Sequence, residues 1–151
     1  MANTNDNDKP IFVLCHGAWH PSHLYDPLKR AIEARGYEIL VPELPTMNVG
    51  TPSLTWADDA ATIVQTAEPF FAKGRRVISV GHSYGGVPAC AATRDNTVAE
   101  RAARGEMGGF SALVFLCAFA ITERGKTVQQ SNGRGTDLPW QRKIELPDGV
   151  S

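Results

Sequence analysis

The stretch VGHSYGG, Val80 to Gly86, holds a serine between two glycines in the spacing Gly81-His82-Ser83-Tyr84-Gly85. In G-x-S-x-G the serine sits on a sharp strand-to-helix turn, its backbone strained and its hydroxyl clear of the sheet. The flanking glycines let strand and helix approach without a Cβ clash. A helix that opens here turns free N–H groups and the positive end of its dipole toward the serine. Pro88 suits its first turns. A serine so placed supports nucleophilic attack on a carbonyl. Charge then builds on the carbonyl oxygen and needs preorganised donors, usually backbone N–H groups. One donor falls to Tyr84, the residue after the serine. The other falls to the loop HGAWH, His16 to His20, where Ala18 is the candidate.

These groups need a scaffold. IFVLC, Ile11 to Cys15, is a short continuous apolar run, as in strands buried on both faces. A helix is predicted over 22–35, with Leu24, Leu28, Ala31 and Ile32 on one face, Pro27 in its first turn and Gly36 as its stop. YEILV, Tyr37 to Val41, reads as a second strand, ended by Pro42 and Pro45. Thr55 and Asp58 have capping-box spacing, with Asp in place of Glu or Gln. The helix they open places Trp56, Ala60, Ile63, Val64 and Ala67 on one face; Pro69 is expected to kink or end it. RVISVG, Arg76 to Gly81, is the third strand. An alanine-rich helix follows Ser83 to about Arg94 and resumes toward Arg104. SALVFLCAF, Ser111 to Phe119, is the fourth and most apolar strand. The order β-α-β-α-β-α-β specifies an α/β fold with a mostly parallel sheet and right-handed crossovers. Residues 1–9 read as a disordered arm and 10–121 as the core. Residues 122–151 are polar, rich in Gly and Pro, and irregular; IELPDG is their one candidate strand and turn.

Composition narrows the function class. The 151 residues amount to about one domain, and 42% hydrophobic content suits a globular core. A net charge of −1, with acids and bases interspersed, gives no footprint for nucleic acid or an anionic membrane. The start, MANTNDNDKP, lacks the apolar core of a secretory signal, and no apolar run is long enough to span a bilayer. The three cysteines, Cys15, Cys90 and Cys117, lie in apolar contexts and are expected to be free, buried thiols in a reducing, cytoplasmic setting.

HGAWH after one strand, GHSYGG after a later one and VFLCAFA on the next resemble the α/β-hydrolase superfamily. Within it they are similar to the small esterase and hydroxynitrile-lyase-like branch, which includes salicylate-type methylesterases and many fungal relatives. The resemblance runs from Pro10 to about Lys126. It implies an α/β-hydrolase core in which the His16 strand and the Ser83 strand are neighbours, with strand order 4-3-5-6 in the family's naming. It implies Ser83 as nucleophile, Ala18 and Tyr84 as oxyanion donors, and a substrate pocket bordered by Trp19, Tyr84 and His16. It implies no cofactor and a small carboxylic ester, or a related acyl or C–C substrate. Segment 122–151 would begin the lid.

The family's chain order is nucleophile, acid, histidine. All four histidines here, His16, His20, His23 and His82, precede Ser83. Glu123, Asp137 and Asp148 follow it, but an acid without a histidine to orient has no triad role. The sequence is therefore expected to lack the last strands of the fold together with the acid and histidine loops. It reads as a fragment of a full hydrolase, a short paralogue without triad chemistry, or a chain completed by a partner. The rival to a hydrolase is a non-catalytic binding or scaffold protein. Two other motifs fail on their own chemistry. AITERGKT, Ala120 to Thr127, ends like a phosphate loop but begins with Ala, lacks glycines between and places Glu123 against the phosphate. His16, His20 and His23 cluster in sequence with no carboxylate to complete a metal site.

Overall fold

The computed structural model describes residues 9–47, 53–121, 125 and 130. The described strands and α-helices, in chain order, are β1 (Ile11–Cys15), α1 (Asp26–Glu33), β2 (Ile39–Leu40), α2 (Trp56–Phe71), β3 (Arg76–His82), α3 (Gly86–Thr93), α4 (Val98–Ala103) and β4 (Gly109–Leu116). Short 3-10 turns lie at Ser22–Tyr25, Pro45–Met47 and Ser83–Gly85. The four strands form one parallel sheet in the order β2-β1-β3-β4. This is the α/β architecture expected, with the strand that leads into His16 beside the strand that leads into Ser83.

The sheet is packed on both faces. Ile11, Val13 and Cys15 of β1 join Ile63, Ala67 and Phe71 of α2 and Ala89 and Ala92 of α3. Leu14, Ile39 and Val80 form a second cluster with Tyr25 and Ile32 packed against it. The apolar run of β1 thus splits by its period of two, each face feeding a different layer. The first cluster is closed by an edge-to-face pair, Phe71 and Phe110, with centroids 5.0 Å apart. Arg101 stacks over Phe71 at 4.7 Å and reaches Glu68 and Glu106 at 3.3 Å each.

Several elements are shorter than their sequence patterns. The predicted helix over 22–35 begins as a 3-10 turn at Ser22–Tyr25 and is α-helical only over Asp26–Glu33, because Pro27 can sit only in a first turn. Its apolar face is thinly covered: Leu24 and Leu28 are exposed and Ile32 is half-buried. The second strand shrinks to Ile39–Leu40, the two residues that pair with Phe12 and Val13. Pro69 does not end α2. It lies in the last turn, and the helix runs on to Phe71. Trp56 is likewise exposed rather than packed. Cys15 is buried, but Cys90 is only half-buried and Cys117 is exposed, which corrects the expectation of three buried thiols. β4 begins two residues earlier and ends three earlier than predicted. Cys117 takes a left-handed φ of 44° and stops the ladder.

Residues 1–8 of the arm expected at 1–9, the segment at 122–151 apart from Gly125 and Gln130, and with them Glu123, Asp137, Asp148 and IELPDG, lie outside the described residues. Among the described residues no helix is long and apolar enough to cross a membrane.

Candidate active site

The site forms where β1 and β3 end side by side. Their register pairs Cys15 with Gly81, so the next residues of each strand leave the sheet together. Parallel α/β sheets place their functional loops at this carboxyl edge. After β3 the chain turns at once: Ser83 has φ 52°, and a 3-10 turn at Ser83–Gly85 leads straight into α3. A non-glycine residue in this left-handed region costs roughly 1–2 kcal/mol, so packing must hold it there. Two contacts do so. The Phe119 N–H donates to the Ser83 carbonyl at 3.0 Å. Gly85 lies so close to β1 that a Cβ there would stand 2.1 Å from the Cys15 carbonyl oxygen.

The loop after β1 lies against this turn. A Cβ at Gly17 would stand 3.2 Å from the Nδ1 atoms of both His20 and His82 and 3.4 Å from the Ser83 Cβ. Ala18 follows and is half-buried. Trp19 is 84% exposed at φ 60°, and its N–H donates to the Met47 sulfur at 3.1 Å.

His16 has a different place from the one expected. Its ring is 0% exposed and borders no open space. The Leu44 N–H donates to Nε2 at 3.0 Å, so the ring proton sits on Nδ1 and goes to the Gly17 carbonyl at 3.0 Å. Glu43 lies 3.6 Å from Nε2, but with both ring nitrogens bound to backbone this histidine has no free edge for Ser83. It is a brace between the loop after β1 and the loop after β2.

Tyr84 is anchored through its side chain. Its hydroxyl donates to Asp59 Oδ2 at 2.6 Å, and burial pushes the phenol well above its ordinary pKa, with the Asp59 carboxylate adding to the effect. Asp59 is 0% exposed on α2 and also accepts from the Thr46 N–H at 3.0 Å and the Thr46 hydroxyl at 2.7 Å. One buried carboxylate thus ties α2, the Pro45–Met47 turn and the residue after Ser83 together. Sequence reasoning missed Asp59. The signal was there: it falls on the same helical face as Ile63 and Ala67, where a carboxylate needs partners.

Tyr25 was missed as well, and nothing in its sequence context marks it. Its hydroxyl accepts the Gly17 N–H at 3.0 Å and lies 2.7 Å from His82 Nδ1 and 3.1 Å from His20 Nδ1. The two imidazoles stack with centroids 5.7 Å apart and planes at 20°. Burial, and then the neighbouring His20, hold the His82 pKa below its ordinary value. His23 is exposed within the Ser22–Tyr25 turn. Among the described residues no group of three His, Cys, Asp or Glu side chains is placed to hold a metal ion.

Comparison with known proteins places this architecture. The chain is 27% identical over 113 residues to the alpha/beta hydrolase nvfD of Aspergillus novofumigatus, covering 75% of this chain and 44% of that protein. It is 32% identical over 85 residues to methylesterase 8 of Arabidopsis thaliana, covering 52% of this chain and 30% of that one. The crystal structure of polyneuridine aldehyde esterase superposes with a TM-score of 0.64 at 18% identity, covering 83% of this chain and 46% of that one. The chain thus spans less than half the length of these relatives. The model of the alpha/beta hydrolase family matches residues 12–149, nearly the whole sequence, and the chain belongs to that family.

Proposed function

We propose that the chain carries the nucleophile and oxyanion half of a serine hydrolase site, acting on a small carboxylic ester or a related acyl or C–C substrate. The observation that carries this reading is Ser83 at φ 52°, at the head of α3, with the Gly17–Ala18 loop against it. The strained turn is what a nucleophile elbow requires. The Ser83 hydroxyl attacks the substrate carbonyl and loses its proton to a base. The Tyr84 and Ala18 N–H groups receive the developing oxyanion, and water releases the acyl group. Trp19, exposed at the rim, and Tyr84 border the substrate. The substrate class follows the methylesterase and esterase relatives.

Among the described residues no histidine pairs with a carboxylate while facing Ser83. The acid and histidine of the reaction therefore belong to chain outside the described elements or to a partner. Segment 122–151 is read as the start of a lid. Free thiols fit a cytoplasmic setting. The second reading, a hydrolase-like binding protein, rests on the same missing pair. Hydrolysis of small methyl and aryl esters distinguishes the two. Turnover above buffer is expected to vanish in Ser83→Ala and to rise with added imidazole, which supplies the base. Equal turnover in wild type and Ser83→Ala overturns the hydrolase reading.

A further inference from the structure

We propose that Tyr25 is the positioning residue of this site, and that its phenol oxygen is a proton-ordered lock joining the oxyanion loop to the Ser83 turn. The inference rests on the placement of Gly17, His20, Tyr25 and His82 and goes beyond the roles given to Ser83, Ala18 and Tyr84. Three nitrogens surround one oxygen: Gly17 N at 3.0 Å, His20 Nδ1 at 3.1 Å and His82 Nδ1 at 2.7 Å. A phenol has one proton to give and two lone pairs to receive. Gly17 N–H is a fixed donor and takes one lone pair. Of the two imidazoles, one must then accept the phenol proton and the other must donate into the second lone pair.

The shorter contact identifies His82 as the acceptor. His82 is neutral with its proton on Nε2. His20 donates from Nδ1, which is the less common tautomer. The order has a mechanical consequence. Gly17 precedes Ala18, and His82 precedes Ser83, so one oxygen sets the distance between the two strand ends that must hold the oxyanion.

The lock also has a proton limit. A second proton, on His82 Nδ1, removes the acceptor of the phenol proton and sets an imidazolium 5.7 Å from the stacked His20 ring. The other titratable groups around the cluster do not relieve this. His16, whose ring centroid is 6.5 Å from that of Tyr25, has both nitrogens bound, and Glu43 lies beyond it, 3.6 Å from its Nε2. A native histidine with a lowered pKa supports the fold above its ordinary value of 6.5 and withdraws that support as pH falls below it. The lock is therefore closed at neutral pH and opens on acidification.

Nitrogen-15 NMR of the imidazoles tests this without any catalytic assay, so its failure is separate from failure of the hydrolase reading. At neutral pH the wild-type chain is expected to show an Nδ1–H tautomer for His20 and an Nε2–H tautomer for His82. In Tyr25→Phe both rings are expected to become mainly Nε2–H and to titrate independently, with the Gly17 amide exchanging about tenfold faster. Unchanged tautomers and titration in a folded Tyr25→Phe variant overturn the proposal. So does an Nε2–H tautomer for His20 in the wild-type chain, a result that needs no variant to fold.

Discussion

Cys15 shows how a single buried group ties this chain's stability to pH. Burial in the first core cluster pushes its thiol from the ordinary 9.0 up to about 12. Above pH 9 the unfolded thiol loses its proton while the native one keeps it. The unfolded state then binds fewer protons, and stability falls as pH rises from about 9 toward 12, by up to about 1.4 kcal/mol per pH unit. Urea midpoints at about pH 8 and pH 10 are expected to drop more for wild type than for Cys15→Ala, and equal drops contradict this. At this scale the sequence was partly legible. The serine, its glycines and the His16-Gly17 pair could be read because backbone geometry restricts which residues fit such a turn. Asp59 carried a signal in its place on the buried face of α2, but its partners, Thr46 and Tyr84, are distant in sequence, as are Gly17 and His82, the partners of Tyr25. His16 was read as a pocket residue because its Leu44 partner comes from the loop after another strand.

At the scale of elements, capping boxes mark where α2 and α4 start. The Thr55 hydroxyl oxygen accepts from the Ala57 N–H at 3.2 Å, and Asp58 Oδ2 accepts from the Thr55 N–H at 2.7 Å. Asp thus fills the role usually given to Glu or Gln. Thr97 and Glu100 repeat the arrangement at α4. Thr55→Ala is expected to destabilise the chain by about 1 kcal/mol in chemical denaturation, with the α2 amides near residue 58 exchanging fastest. A midpoint equal to wild type would show that tertiary packing alone fixes the start of α2. The capping spacing made this helix legible. Its far end was misjudged because Pro69, although it forfeits the N–H bond to the Gln65 carbonyl, is held inside the helix by the burial of Ala67 and Phe71 in the core. α1 was overestimated for the opposite reason. Leu24 and Leu28 have helical spacing but little to pack against among the described residues.

The described core is a four-stranded parallel sheet with β2 and β4 at its edges. β4 is the longer and more apolar edge. It exposes Val114, Phe115 and Leu116, with Phe115 at 40%. Exposed apolar edges invite pairing, and we propose that isolated chains associate here. Sedimentation of the wild-type chain is expected to give a dimer or larger species that Phe115→Lys shifts toward monomer. A wild-type monomer that melts cooperatively contradicts this. The α/β order was legible because buried parallel strands and amphipathic helices have different periods. The extent of β4 was not, since SALVFLCAF is uniformly apolar and the left-handed Cys117 that stops it has no signature.

The central claim is that Ser83 is a nucleophile held by the turn. Intact-mass labelling of the folded chain with a fluorophosphonate tests it most directly, with Ser83→Ala as control and peptide mapping to locate the adduct. One adduct per chain is predicted, on Ser83 and absent from Ser83→Ala, forming slowly and faster with added imidazole. No adduct on a folded chain, or an adduct that survives Ser83→Ala, contradicts the claim.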